Sequence, residues 1–180
     1  MYIMANLFHD LKLGNDELTE VNAIIEIPKD SMVKYEFDKE LGCIMVDRIG
    51  RTPIPYNFNY GLLPQTWNKD DNDPLDIIVL SRFGFAPGVV VPSRVVWGLK
   101  MIDGGEFDYK VIAVADDKYY DDVNDIDDIS EKEKEDIYYF MNRYKDLHNK
   151  TVQLEGWDNK ESAIKVLQDC KDYYPVKFAK

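Results

Sequence analysis

Residues 89–115 read VVVPSRVVWGLKMIDGGEFDYKVIAVA, two long runs rich in Val, Ile and aromatics joined by Asp103-Gly104-Gly105-Glu106. Glycine readily supplies positive φ at both centres of a two-residue turn, so the stretch predicts a β-hairpin of 89–102 against 107–115. The same composition recurs at 22–27, 33–37, 43–48 and 76–80, with Gly, Pro, Asn and Asp clusters between the runs. Consecutive strands with little helix between them predict an antiparallel sheet curled into a barrel. Pro92 has no N–H for a sheet ladder, which predicts a bend or bulge at that point. The hydrophobic period changes in the last third. Ile137, Phe140, Met141, Tyr144, Leu147 and His148 fall on one helical face, with Ser130 and Glu133 as a capping box. His148 reads there as a packing residue. A second helix is expected over 159–174, with Asp158 and Glu161 as its box and Pro175 as its stop. The expected fold is mainly β with two principal helices packed outside (α+β), in one domain spanning residues 1–180.

The chain has 180 residues, 45% hydrophobic and 31% charged, enough apolar surface for a substantial core. Its 22 Lys and Arg stand against 34 Asp and Glu, a net charge of -12. Such a chain is repelled by nucleic-acid backbones and anionic membranes, which leaves cations as its opposite-sign partners. Residues 116–136 hold 11 acids against three lysines, so one local run carries most of the charge and reads as solvated surface. Residues 1–10 lack a basic region followed by an apolar one, and no apolar run approaches the roughly 20 residues of a membrane helix. Cys43 and Cys170 lie far apart in apolar segments and read as reduced core thiols. A cytoplasmic protein is the expectation.

The chemistry must therefore come from acids outside that run. Period 2 places Phe107, Tyr109, Val111 and Ala113 on one strand face and Asp108, Lys110, Ile112 and Val114 on the other, which passes from charged to apolar along one strand. Asp76 leads directly into Ile77–Leu80, Glu26 interrupts an isoleucine run, and Lys34 and Glu36 share a face. A strand end meeting water would explain any one of these. Together they predict a barrel mouth lined with carboxylates and a few bases. The densest group is Asp71-Asn72-Asp73-Pro74-Leu75-Asp76. Two carboxylates about 4 Å apart repel by roughly 4 kcal/mol at an effective dielectric near 20, so three in six residues call for protons or bound cations. Oxygen ligands favour Mg²⁺, Mn²⁺ or Ca²⁺ over zinc. A calcium loop of the EF-hand type fails on spacing, since Asp76 stands where that loop needs Gly and Arg82 where it needs Glu. Lys34, Arg48, Lys110 and Lys145 are suitable phosphate partners. There is no GxxxxGK[ST], GxGxxG or GxSxG motif, and two histidines make a histidine-based triad or zinc site a poor fit. Metal-activated water attacking phosphorus remains.

At this point the residues match a known family. The chain resembles the soluble inorganic pyrophosphatases of family I, in their short prokaryotic form. Asp71-Asn72-Asp73-Pro74-Leu75-Asp76-Ile77 fits the family signature, and the neighbouring blocks follow in the family's order: Ile25-Glu26-Ile27-Pro28, Lys34-Tyr35-Glu36, Val46-Asp47-Arg48 and Asn59-Tyr60-Gly61. Lys100-Met101-Ile102-Asp103, Asp108-Tyr109-Lys110, Tyr144-Lys145-Asp146-Leu147 and Glu155-Gly156-Trp157 complete the series.

The resemblance implies a closed five-stranded OB-like barrel, hydrolysis of pyrophosphate to two orthophosphates, several Mg²⁺ ions per site with Mn²⁺ as a possible substitute, and a homohexamer. It implies that Asp71, Asp76 and Asp108 ligate the activating metals, with Asp76 bridging two, and that Asp103 joins Asp108 in holding metals that arrive with substrate. Glu26 and Glu36 would act largely through metal-bound water, and Asp73 would orient the nucleophilic water and take its proton. Lys34, Arg48, Tyr60, Lys110, Tyr144 and Lys145 would grip the two phosphoryl groups, with Tyr56 nearby. Three positions depart from the family pattern: Gly104 where some relatives carry a second acid, Asn57 where Pro is frequent, and Asn72 where Gly is commoner. Asn tolerates the tight-turn geometry of that last position. The rivals are a non-catalytic OB-type binding module, for which the charge has the wrong sign, an inactive metal-binding relative, and a hydrolase of another small phosphoanhydride.

Overall fold

The computed structural model describes residues 6–148 and 151–179. A short helix, α1 (Leu7–Asp10), precedes β1 (Glu20–Ile27), β2 (Val33–Asp38), β3 (Cys43–Ile49), β4 (Asn59–Leu62) and β5 (Asp76–Leu80). Then come β6 (Val90–Asp103), β7 (Glu106–Phe107), β8 (Lys110–Ala115), α2 (Glu131–Arg143), β9 (Val152–Asp158) and α3 (Lys160–Lys177). Strands β1, β4, β5, β8 and β6 pair in that order, and β6 pairs back to β1. That closes a five-stranded, OB-like ring. Strands β7 and β9 extend it along β6, while β2 and β3 form a separate hairpin.

The predicted turn is present: Gly104 and Gly105 both have positive φ (61° and 98°), and Asp103 pairs with Glu106. The second arm breaks after Phe107 and resumes at Lys110. The sheet is not wholly antiparallel, because β5 and β8 run parallel, with Asp76 beside Lys110. The long crossover through β6 makes that pairing possible. Pro92 sits within β6 opposite Asn22, and the irregularity falls at Val96, between the Val95 and Trp97 partners on β8. Pro92 faces solvent, while β6 and β8 begin to pair only at Ser93. Strands β4 and β9 were not predicted. Gly61 is a poor strand former, and Gly156 interrupts β9 in the same way.

Strands β5 and β8 are buried on both faces. Ile77, Val79, Val111 and Ala113 pack with Ala163, Leu167 and Cys170 of α3. Ile78, Leu80, Ile112 and Val114 pack with Ile137, Phe140 and Met141 of α2. Helix α3 starts on Asn159 rather than Asp158, whose place is in β9; the Asn159 side chain accepts the Ser162 N–H at 2.9 Å. Pro175 does not stop it. The aromatic rings of Tyr174 and Phe178, packed on Phe8 at 5.6 and 5.8 Å, hold the last turn in place across the proline. Helix α2 ends with Tyr144 as its cap, so Leu147 leaves the apolar face and is exposed. The His148 side chain lies outside the described residues. Cys170 is buried, but Cys43, at the start of an edge strand, is exposed.

Ring closure leaves no room at Gly61, where a Cβ would stand 2.0 Å from the backbone oxygen of Ile24 on β1. Backbone cannot yield there without breaking the β1–β4 ladder. Gly61→Ala is expected to cost about 3 kcal/mol or more in a denaturant titration; a midpoint equal to that of the native chain would refute this account of the glycine.

Candidate active site

One end of the ring opens into a cavity of about 370 Å³. All the candidate residues from sequence line it: Glu26, Lys34, Glu36, Arg48, Tyr56, Tyr60, Asp71, Asp73, Asp76, Asp103, Asp108, Lys110, Tyr144 and Lys145. Among the described residues no helix is long and apolar enough to cross a membrane.

Local irregularities aim several of these side chains. Ile25 pairs with Gly61 and Ile27 with Tyr60, so Glu26 is the extra residue of a bulge, and bulges re-aim side chains. Its Oε1 accepts the Phe37 N–H at 2.7 Å, tying the β2–β3 hairpin to the ring. A second bulge makes Asp47 the extra residue between the partners of Lys34 and Tyr35. Asn72 adopts φ +56°, and the Asp73 N–H donates to Asp71 Oδ1 at 3.2 Å, which turns both carboxylates toward the cavity. Asp76 opens β5, and its parallel neighbour Lys110 opens β8 two residues after Asp108, on the same face. At the end of α2, the Thr52 hydroxyl donates to the Tyr144 carbonyl at 2.9 Å, and Tyr144 stacks on Phe140.

Lysines pair with several of these acids. Lys110, with a fully buried side chain, bridges Asp76 and Asp108, and Lys145 engages Asp103. Lys34 donates to Glu36 at 2.9 Å and to Asp47 at 3.0 Å. The carboxylates still outnumber what the lysines can satisfy. Burial, opposed by the Phe37 N–H and reinforced by the Asp76 charge, pushes Glu26 up to about 8. Burial, then the charges of Asp108 and Asp76, pushes Asp71 up to about 7. Burial likewise raises Asp73 and Asp108. It also lifts Tyr56 to about 12 and Tyr60 and Tyr144 well above their ordinary values, which keeps three hydroxyl donors protonated. Lys110 is held strongly protonated, since Asp108 and Asp76 outweigh its burial.

These residues fit divalent cations. The donors are all oxygen, burial holds Glu26 and Asp71 above the ordinary carboxylate range, and Asp103 Oδ1 is buried with no hydrogen-bond partner. Among the described residues no three acidic, histidine or cysteine side chains stand together as a ready-made metal cage, because lysine ammoniums lie between the carboxylates. The cavity also holds residues that strand alternation missed: Lys39, Asp47 and Glu106. Asp47 hides in a bulge, and Lys39 and Glu106 sit in or beside turns, where period 2 assigns no face. The acids of the run are exposed or half-buried, with one exception. Asp117 is buried, and its Oδ1 accepts from Arg82 Nε at 3.1 Å and from Nη2 at 2.8 Å.

A β-ring whose mouth interleaves carboxylates with lysine, arginine and tyrosine defines a metal-assisted, phosphate-handling class of protein. The inorganic pyrophosphatase family model matches residues 23–175, and the chain belongs to that family. It is 38% identical over 178 residues to an inorganic pyrophosphatase of Haloferax volcanii, covering 98% of this chain and 100% of that one. Identity reaches 42% over 163 residues with the enzyme of Rickettsia bellii, covering 88% and 91% of the two chains. The crystal structure of inorganic pyrophosphatase from Thermus thermophilus superposes with a TM-score of 0.89 at 38% identity, covering 94% of this chain and 99% of that one.

Proposed function

We propose that this chain hydrolyses inorganic pyrophosphate to two orthophosphates with Mg²⁺ as its cofactor, as one catalytic domain of a cytoplasmic homohexamer. The observation that carries the reading is the alternation of acids with lysine, arginine and tyrosine around one cavity of about 370 Å³. Asp71, Asp76, Asp103 and Asp108 would hold the divalent cations, and Glu26 and Glu36 would support them from the cavity wall. Bound Mg²⁺ supplies Lewis acidity, lowering the pKa of the attacking water and neutralising phosphoryl charge. Asp73 orients that water and accepts its proton as the oxygen attacks phosphorus and the bridging P–O bond breaks. Lys34, Arg48, Lys110 and Lys145, with the hydroxyls of Tyr56, Tyr60 and Tyr144, stabilise charge on the equatorial oxygens and the departing phosphate.

Purified protein with Mg²⁺ is expected to release orthophosphate from pyrophosphate, to stop on chelation, and to leave phosphomonoesters nearly untouched. Release that survives chelation, or a preference for monoesters, would sink the reading.

A further inference from the structure

We propose that Lys39 is a positioning residue that sets the Asp73 carboxylate for proton transfer, an inference that rests on the pyrophosphatase reading. Strand β2 ends at Asp38, whose Oδ1 accepts the N–H groups of Glu40 (3.0 Å) and Leu41 (2.7 Å) and so turns the chain out of strand geometry. Lys39 thereby leaves the alternation that put Lys34 and Glu36 on the cavity face, yet its side chain still lines the cavity. Its backbone is pinned from the other side, because Asn6 Nδ2 donates to the Lys39 carbonyl at 2.7 Å.

From that anchored backbone the Lys39 ammonium crosses the mouth to Asp73 Oδ1 at 2.6 Å, with Glu36 Oε1 at 4.0 Å. Asp73 stands on a turn braced separately, its carbonyl accepting the Asn68 N–H at 2.8 Å. The contact joins the β2–β3 hairpin to the signature turn of the ring across the cavity. Lys39 lies in the turn after β2 and Asp73 on the turn before β5, so the cross-link fixes the Asp73 side chain against a segment that no strand ladder joins to it. A charge-assisted hydrogen bond to one carboxylate oxygen fixes the plane of the group and leaves Oδ2 for the nucleophile's proton. Lys110 and Lys145 hold acids assigned to the metals and Lys34 holds Glu36 and Asp47, whereas Lys39 holds the base.

Steady-state hydrolysis of magnesium pyrophosphate, with thermal melting, by the native chain, Lys39→Met, Lys39→Gln, Lys39→Arg, Asp73→Asn and the double variant Lys39→Met/Asp73→Asn tests this. Lys39→Met is expected to lower kcat by about 10–100-fold with KM changed by less than about 3-fold. Lys39→Arg, which keeps the ion pair, is expected to recover most of kcat. In the Asp73→Asn background, Lys39→Met is expected to cost less than about 2-fold, because a residue that acts through Asp73 has nothing further to lose. A KM effect at constant kcat would make Lys39 a substrate contact. A full additional loss in the Asp73→Asn background would make it independent of the base. Unfolding of both Lys39→Met and Lys39→Gln on thermal melting would make it structural. Each of these outcomes, or an unchanged kcat, overturns the proposal while the native chain's activity upholds the pyrophosphatase reading. A native chain that leaves pyrophosphate intact overturns both.

Discussion

Asp76→Asn is expected to lower kcat by at least about 100-fold, beyond what loss of an outer-shell partner of a metal typically costs, while the melting temperature stays within a few degrees of the native value. Asp76 opens β5, whose buried Ile77, Ile78, Val79 and Leu80 are held between β4 and β8 independently of its side chain. Asn keeps the shape and one acceptor oxygen, and Lys110 retains Asp108 as its partner. What disappears is a negative charge at the point where β5 and β8 bring two acids and a lysine together. A variant with turnover near that of the native chain would remove Asp76 from the metal site, and a variant that failed to fold would show the carboxylate to be structural instead.

The second large effect concerns Mg²⁺ and pH together. Glu26 and Asp71 are pushed by burial to about 8 and about 7 from ordinary values of 4.5 and 3.8. A carboxyl whose folded pKa lies above its unfolded value binds its proton more tightly in the folded state. Its stabilising contribution is complete below about pH 4 and is lost as pH rises through 7–8. The chelated protein should therefore melt at a lower temperature at pH 8 than at pH 5. Glu26→Gln should flatten that fall, which separates it from the general self-repulsion of an acidic chain. Mg²⁺ should raise the melting temperature more at pH 8 than at pH 5, because protons compete with it less there. At a hundred times its dissociation constant a ligand contributes about 2.7 kcal/mol, or about 5–11 °C for a chain of this size. A chelated protein whose melting temperature held steady or climbed from pH 5 to 8 would contradict the charge assignment, as would the absence of any Mg²⁺ shift at pH 8.

The cavity was legible in the sequence because its parts sit on regular strands or carry a signature. Alternation alone put Asp108 and Lys110 on a face that turns apolar at Ile112, and the two clusters that part Val111 from Ile112 are those of the structure. What alternation missed was made by departures from regularity. Asp47 reaches the cavity only because a bulge shifts the strand by one residue, and Lys39 only because Asp38 ends it. The parallel β5–β8 pair was hidden because pairing direction depends on the path of the intervening chain, not on either strand's composition. Pro175 misled because the local rule was outweighed by ring packing more than a hundred residues away in sequence, at Phe8 and Trp67.

The closure of β1 on β6 has a consequence for the order of events in folding. Ile24 and Val90 become neighbours although 66 positions apart in sequence, and Asp76 meets Lys110 from 34 positions away. Contacts so distant along the chain are assembled late, after the entropy of closing long loops has been met. Glu26, Asp76 and Lys110 ride on three different ring strands, so no fragment and no half-closed intermediate holds the catalytic constellation. During refolding, recovery of turnover should trail the return of secondary structure and coincide with the final closure of the ring.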